Sequence, residues 1–243
     1  MGRRRRRHSP GPSRGRGRRN GDPALLSPRL QAVVFDFDGL IVDTETPLFT
    51  TWAEFFREHG HELELERFTD VIGSADHFDP VLHLEGLVGA FDDREAVRER
   101  IRERYYEKVW LQDPLPGVVE AVSQAQALAL GLGVASSSRR PWIEQHLERL
   151  GLRSAFACLA CREDPPGLRG KPHPDVYEAV LLCLGVEPAA ALAIEDSPNG
   201  IRAAKTAGLR CLAVPNGLTA HLDLSEADAL AASLTEVSLD AFL

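Results

Sequence analysis

Short apolar runs alternate with helical patterns along the second half of the chain, and this alternation limits the possible folds more than any other feature. Glycines close three of the helical patterns, at Gly151, Gly185 and Gly208. Such alternation is typical of a parallel sheet whose strands are joined by right-handed helical crossovers. We therefore predict an α/β fold with a doubly wound parallel sheet. The predicted strands are residues 132–135, 156–159, 191–194 and 209–214, and the predicted helices are residues 118–128, 142–150, 174–184 and 199–207.

A further strand precedes these elements, and a long helical segment separates it from them. Residues 31–37 (QAVVFDF) are rich in β-branched and aromatic side chains, which predicts a buried strand. After it, apolar residues recur at helical spacing, most clearly at Val97, Ile101, Tyr105 and Val109. We predict an all-helical insertion after the first strand. The predicted division is a sheet domain of residues 29–44 and 115–243, a helical cap of residues 45–114, and a tail of residues 1–28.

The tail is strongly basic and almost free of apolar side chains. Residues 1–30 contain ten Arg and one Asp. A segment of this composition cannot bury enough surface to offset its conformational entropy, so we predict that it is disordered. Two interpretations remain: an arm that binds nucleic acid, or an extension without function, and we adopt the second. No apolar core follows the basic residues, so the tail does not resemble a secretion signal.

Two classes of protein are excluded by composition. The sequence has no apolar run long enough to cross a bilayer, which excludes a transmembrane protein. Four cysteines in 243 residues are too few for a disulfide scaffold. Cys158 and Cys161 form a CxxC pair, but a zinc site would need a second pair, and we predict that Cys158 is a small core residue.

Polar side chains that suit phosphate chemistry follow the predicted strands. Because the carboxyl ends of parallel strands meet at one edge of a sheet, we expect these side chains to converge there. Carboxylates are the ligands that Mg²⁺ prefers, and Ser and Lys side chains suit the oxygens of a phosphate group. The sequence therefore predicts a magnesium and phosphate site. Its candidate residues at the strand ends are Asp36, Asp38, Ser136, Ser137, Glu195 and Asp196. Lys171, in a loop before a predicted helix within GKPHPD, is the candidate cation.

The same residues lie in four ordered motifs that resemble those of the haloacid dehalogenase-like superfamily. The motifs are VVFDFDGLIVDTE, GVASSS, GKPHPDVY and IEDSPNGIRAAKTAG. Separations of 100, 35 and 25 residues lie between Asp36, Ser136, Lys171 and Asp196. The form of the fourth motif is similar to that of the beta-phosphoglucomutase-like and sugar-phosphatase branch, whose helical cap the insertion resembles. The resemblance implies a Rossmann-like core and Mg²⁺-dependent hydrolysis of a small phosphate monoester, such as a sugar or polyol phosphate.

The resemblance also implies a role for each candidate residue. Asp36 would be the nucleophile that forms an aspartyl-phosphate, and Asp38 would be the general acid and base. Ser136, Ser137 and Lys171 would bind the phosphoryl group, and Lys171 would also offset the charge at Asp36. The implied metal contacts are Asp36, Asp38 through its backbone carbonyl, Glu195 and Asp196. The implied residues for reading the leaving group lie in a loop of the helical cap: Gly73, Ser74, Asp76 and His77.

Three alternatives to a phosphatase remain open: a phosphomutase, a phosphate-binding protein without turnover, and a nucleic-acid-binding protein. The sugar-phosphate mutases of this branch carry a His at the position of Leu48, and an Arg in the loop that here spans residues 72–77. Both departures favour hydrolysis. We therefore expect the partner to be a small phosphorylated metabolite, with no membrane or nucleic acid, and we expect a cytoplasmic monomer.

Overall fold

The structure is a computed structural model, which describes residues 1–2, 28–69 and 78–243. Six strands are present in this part of the chain: β1 (Ala32–Phe35), β2 (Gly131–Ser136), β3 (Cys158–Cys161), β4 (Ala191–Glu195), β5 (Arg210–Ala213) and β6 (Ala229–Leu230). The helices are α1 (Glu45–Glu58), α2 (Leu65–Thr69), α3 (Pro80–Val88), α4 (Arg94–Val109), α5 (Val118–Ala127), α6 (Arg140–Arg149), α7 (Asp175–Leu184) and α8 (Pro198–Thr206). Short 3-10 turns cover Arg153–Ala155, Pro188–Ala190, Leu234–Glu236 and Leu239–Phe242.

The six strands form one parallel sheet in the order β3-β2-β1-β4-β5-β6. Strand β1 lies at the centre, where Val34 faces Gly133 of β2 on one side and Ala193 of β4 on the other. From β1 the chain continues through β2 to β3 on one side of the sheet, and it then returns to form β4, β5 and β6 on the other side. The doubly wound α/β fold predicted from the sequence is therefore confirmed.

The side chains of the central strand alternate between the two faces of the sheet, as the two-residue period of a strand requires. Val33 and Phe35 lie in one apolar cluster, with residues of α5 and α6. Ala32 and Val34 lie in a second cluster, with residues of α7 and α8. Because both faces are covered, the strand appears in the sequence as a continuous apolar run.

Helices α1 to α4 form a third apolar cluster, which Leu218 of the sheet domain joins. Trp52, Phe55 and Phe56 of α1 contribute to it, and Ile101 of α4 is also buried there. Of the apolar stripe predicted on α4, Ile101 and Val109 are buried, whereas Val97 is only partly so. A separate cluster supports our proposal that residues 45–114 form a cap distinct from the sheet domain. None of the helices among the described residues combines the length and apolar content that a bilayer span needs.

Three features differ from the expectations or lie beyond them. Strand β6 was not predicted, since two residues are too few to show an alternating pattern. Cys158 is buried on β3, as expected of a core residue, but it also forms a disulfide with Cys183 of α7, while Cys161 is a free buried thiol. The candidate cap residues Gly73, Ser74, Asp76 and His77 lie outside the described residues, and so do residues 3–27 of the predicted tail.

Candidate active site

A cavity of about 440 Å³ opens at the carboxyl edge of the sheet, between the sheet and helices α1 and α4. The sheet side contributes the polar groups that the sequence singled out, and the helical side contributes mainly larger side chains. Lining residues include Asp36, Asp38, Ser137, Lys171 and Asp196 from the first side, and Glu45, Leu48, Tyr105 and Tyr106 from the second. The strand ends thus bring together side chains that are up to 160 residues apart in the sequence.

The buried ammonium group of Lys171 ties two of these strand ends together. It pairs with Asp36, which directly follows β1, and its Nζ lies 2.6 Å from Oε1 of Glu195 at the end of β4. The backbone N–H of Asp36 donates to the carbonyl of Ile194 at 2.9 Å, which continues the strand pairing up to the site. Tyr177 of α7 donates its hydroxyl hydrogen to Glu195. These contacts hold Asp36 at the floor of the cavity.

The carboxylates of Asp36, Glu195 and Asp196 form a buried acidic cluster, with one oxygen from each within 4.8 Å of the others. Burial raises the pKa of Asp36 to about 8, although Lys171 acts in the opposite direction. Burial and the neighbouring Asp36 also raise the pKa of Asp196 above its usual range. When all three are ionised, Lys171 offsets only one of three negative charges. An oxygen-only donor set with excess negative charge suits a hard divalent cation.

Asp38 lies beside this cluster and accepts three hydrogen bonds. Ser136 and Ser138 donate to its Oδ2 at 3.2 and 2.7 Å, and the indole of Trp142 donates to Oδ1 at 2.9 Å. Ser137 instead accepts a bond from the backbone N–H of Lys171 at 3.0 Å. The sequence indicated Ser136 and Ser137 but missed the contacts of Ser138 and Trp142. The sequence does place Ser138 at this edge of the sheet, because it follows the same strand as Ser136 and Ser137; its hydrogen bond to Asp38 was not predicted.

Gly39 permits the close approach of two further polar side chains. Its φ is +84°, and a Cβ atom there would lie 2.4 Å from Oδ2 of Asp196. The amide of Asn216 donates to the carbonyl of Gly39 at 3.0 Å and to Oδ2 of Asp196 at 2.8 Å. Asn216 therefore orients Asp196. The sequence analysis did not include Asn216. Its position just beyond β5 places it at the same edge of the sheet and could have indicated it.

Glu45, the first residue of α1, is a carboxyl group of the cavity that the sequence analysis missed. Burial raises its pKa to about 8, and the charges of Asp38, Asp36 and Asp43 act in the same direction. A raised pKa lets a carboxyl group keep its proton to higher pH, and in that form its O–H can donate a hydrogen bond. The helical side of the cavity thus offers one polar group, the Glu45 carboxyl, to the part of a ligand that faces it.

We expect the substitution Gly200→Ala to displace the Glu195 carboxylate and so to disturb the acidic cluster. A Cβ atom at Gly200 of α8 would lie 1.9 Å from Oε2 of Glu195, whose side chain is buried and held by Lys171 and Tyr177. The carboxylate has no room to move without losing these contacts, so we expect the free energy of unfolding to fall by about 2 kcal/mol. Urea denaturation measures this change in the free energy of unfolding.

Gly86→Ala is the matched control, since a Cβ atom added at Gly86 of α3 would have nothing within 4 Å. That variant should gain about 0.5–1 kcal/mol from helix propensity, and an unchanged Gly200 variant would contradict the expected clash.

Comparison with known proteins agrees with this geometry. A family model described as a haloacid dehalogenase-like hydrolase matches residues 30–208. The YhcW protein of Bacillus subtilis is 39% identical over 210 residues, covering 86% of this chain and 94% of that protein. Hexitol phosphatase B of Escherichia coli strain K12 is 34% identical over 196 residues, covering 79% of this chain and 86% of that protein.

A solved structure shows the same fold. The crystal structure of CbbY from Rhodobacter sphaeroides, in complex with phosphate, superposes with a TM-score of 0.70 at 28% identity. The match covers 88% of this chain and 99% of that one. The family model spans well over half of the chain, and both sequence relatives exceed 30% identity over most of its length. The chain therefore belongs to the haloacid dehalogenase-like hydrolases, and within that family to the phosphatases.

Proposed function

We propose that the chain hydrolyses a small phosphate monoester, of the sugar or polyol phosphate class, with Mg²⁺ and through an aspartyl-phosphate on Asp36. The observation that carries this proposal is the placement of two carboxylates in one cavity. Asp36 is buried and paired with Lys171, whereas Asp38 lies at the cavity wall among hydrogen-bond donors. Two carboxylates in such different surroundings suit two different roles, nucleophile and proton carrier.

In the first step, a carboxylate oxygen of Asp36 attacks phosphorus while the bond to the leaving alcohol oxygen breaks. Asp38 gives its proton to that oxygen, so the product leaves as a neutral alcohol. In the second step, Asp38 takes a proton from water, whose oxygen attacks phosphorus and releases inorganic phosphate. Asp36 is then free again. Throughout both steps Lys171 offsets negative charge beside the phosphoryl group, and Ser137 lies close enough to the cavity to bind one of its oxygens.

The acidic cluster supports a bound Mg²⁺ ion. Asp36 and Asp196 would hold it by their side chains and Asp38 by its backbone carbonyl, with Glu195 beside them. When bound, the ion supplies positive charge that lowers the repulsion between a carboxylate and a phosphate group. Asn216 and Gly39 support this assignment, because they fix the Asp196 carboxylate without blocking its other oxygen.

The cavity supports a small polar leaving group. Its volume of about 440 Å³ fits a compact ester, and Glu45 offers a polar contact opposite the acidic cluster. Hexitol phosphatase B is named for activity on phosphates of this class. Leu48 lines the cavity at the position where the related mutases carry a His, which favours hydrolysis over isomerisation. We also propose that the protein acts as a cytoplasmic monomer.

We expect removal of the metal to abolish turnover. Phosphate release from a panel of phosphorylated sugars, polyols and nucleotides should fall at least about 100-fold in EDTA and return when Mg²⁺ is added. A panel in which no compound releases phosphate, with Mg²⁺ binding shown by calorimetry, would contradict the proposed function. The same reactions, followed by NMR for isomerised sugar phosphate, distinguish a mutase.

A further inference from the structure

The indole ring of Trp142 links Asp38 to the helical cap. Trp142 lies on α6, and its Nε1–H donates to Oδ1 of Asp38 at 2.9 Å. The residue also lines the cavity, so the contact is made at the cavity wall and not in the interior of the sheet domain. None of the catalytic roles given above uses this side chain.

The hydrogen bond from Trp142 completes the fixation of the Asp38 carboxylate. Ser136 and Ser138 both donate to Oδ2, at 3.2 and 2.7 Å, whereas Trp142 donates to the other oxygen, Oδ1. Donors on both oxygens prevent the carboxylate from rotating about its Cβ–Cγ bond. Loss of the Trp142 donor would leave the two serines holding Oδ2 alone, and the carboxylate could then turn away from the cavity.

The ring itself is held on several sides. Tyr105 and Tyr106 of α4 stack on it, with ring centroids 5.8 and 5.6 Å away and interplanar angles of 25° and 28°. His146, one turn further along α6, contacts it edge-on at 4.3 Å. Aromatic contacts of this kind fix the plane of a ring. Since the plane is fixed, the direction of the N–H group is fixed as well.

We propose that Trp142 is the positioning residue for proton transfer by Asp38. This inference rests on the proposed function, because it needs Asp38 to act as the acid and base. A proton carrier must lie within hydrogen-bond reach of the leaving oxygen, and small displacements of it are costly. Trp142 keeps its own proton in both steps: the proton that moves goes from Asp38 to the leaving oxygen, and later from water to Asp38.

The proposal predicts a loss that depends on the leaving group. Trp142→Phe keeps an aromatic ring for the two tyrosines and removes the N–H donor, together with part of the ring volume. Phenyl phosphate leaves as a basic phenolate that needs a proton, whereas 4-nitrophenyl phosphate leaves without one. We expect kcat/KM of the variant to fall about 10- to 30-fold for phenyl phosphate, and by less than about threefold for 4-nitrophenyl phosphate.

Trp110→Phe is the matched control, because Trp110 contacts the same His146 ring, with centroids 5.2 Å apart, but lies outside the cavity that Asp38 lines. It should change neither rate by more than about twofold. An equal loss of both rates in Trp142→Phe would indicate a purely structural role and overturn the proposal, as would no loss of either. Wild-type turnover of both esters in Mg²⁺ is measured first, so a failure of the proposed function is seen separately.

A second measurement does not depend on activity. The chain has three Trp residues, so ¹⁵N labelling of their indoles gives three side-chain signals, and Trp142→Phe identifies one of them. In Asp38→Ala this signal should move upfield, because its proton loses a carboxylate acceptor. A Trp142 signal that is the same with and without the Asp38 carboxylate would overturn the proposal even if the protein hydrolysed neither ester.

Discussion

Asp36→Asn should lower Mg²⁺-dependent phosphate release by about 10⁴-fold or more, the largest effect that we expect from any single substitution. An amide has the shape of the carboxylate but not its nucleophilic oxygen, so the bond to phosphorus cannot form. The substitution also removes one of three like charges from the acidic cluster, and Lys171 keeps its contact with Glu195 at 2.6 Å. We therefore expect the variant to fold and to bind substrate. Steady-state phosphate release and a thermal unfolding curve measure the two properties.

Two further measurements test whether the loss of activity is specific to the Asp36 carboxylate. Asp113→Asn, at a position outside the cavity, should keep full activity. Acid-quenched wild-type enzyme should carry a base-labile phosphoryl group during turnover, and the Asp36 variant should carry none. A folded Asp36→Asn protein that retains more than about a tenth of the wild-type rate would show that another residue attacks phosphorus.

The parts of the site that could be predicted from sequence are those that follow strands. Asp36 directly follows β1 and Asp196 directly follows β4, and parallel strands end at one edge, so their meeting needs no knowledge of side-chain packing. Lys171 lies in a loop, and it was placed by its motif. Each of the three lies in or beside the cavity where the sequence analysis expected it.

The parts that were missed depend on how helices lie against the sheet. In the sequence, Trp142 is one apolar residue of an amphipathic helix, and its contact with Asp38 follows from the placement of α6, which periodicity does not give. Glu45 similarly begins a helix, where a carboxylate is ordinarily a favourable first-turn charge. The Cys158–Cys183 disulfide was missed because it needs two elements 25 residues apart to pack side by side.

Lys171→Met should weaken the fold as well as the chemistry, in contrast to Asp36→Asn. The ammonium group is buried, and it contacts both Asp36 and Glu195. Its removal leaves buried carboxylates without a cation, so we expect the metal-free protein to lose about 3 kcal/mol of unfolding free energy. Phosphate release should fall about 10³-fold or more, because the variant lacks the fixed positive charge beside the phosphoryl group. Urea denaturation in EDTA and steady-state assays in Mg²⁺ measure these losses.

The pH dependence of the stability lost in Lys171→Met shows whether the missing positive charge is the cause. The two carboxylates raise the pKa of Lys171 above its ordinary value of 10.5, so its stabilising effect is fully present below that pH, including the neutral range. In Lys171→Met the Asp36 carboxyl, whose pKa burial raises to about 8, becomes neutral by binding a proton, so the deficit should shrink when the pH is lowered from about 8 to about 6. Lys205→Met is the matched control: Lys205 pairs with Asp228 at 2.6 Å, but on the surface, where such a pair contributes less than about 1 kcal/mol. If the two variants were equally stable at every pH, Lys171 would not be the cation that balances the acidic cluster.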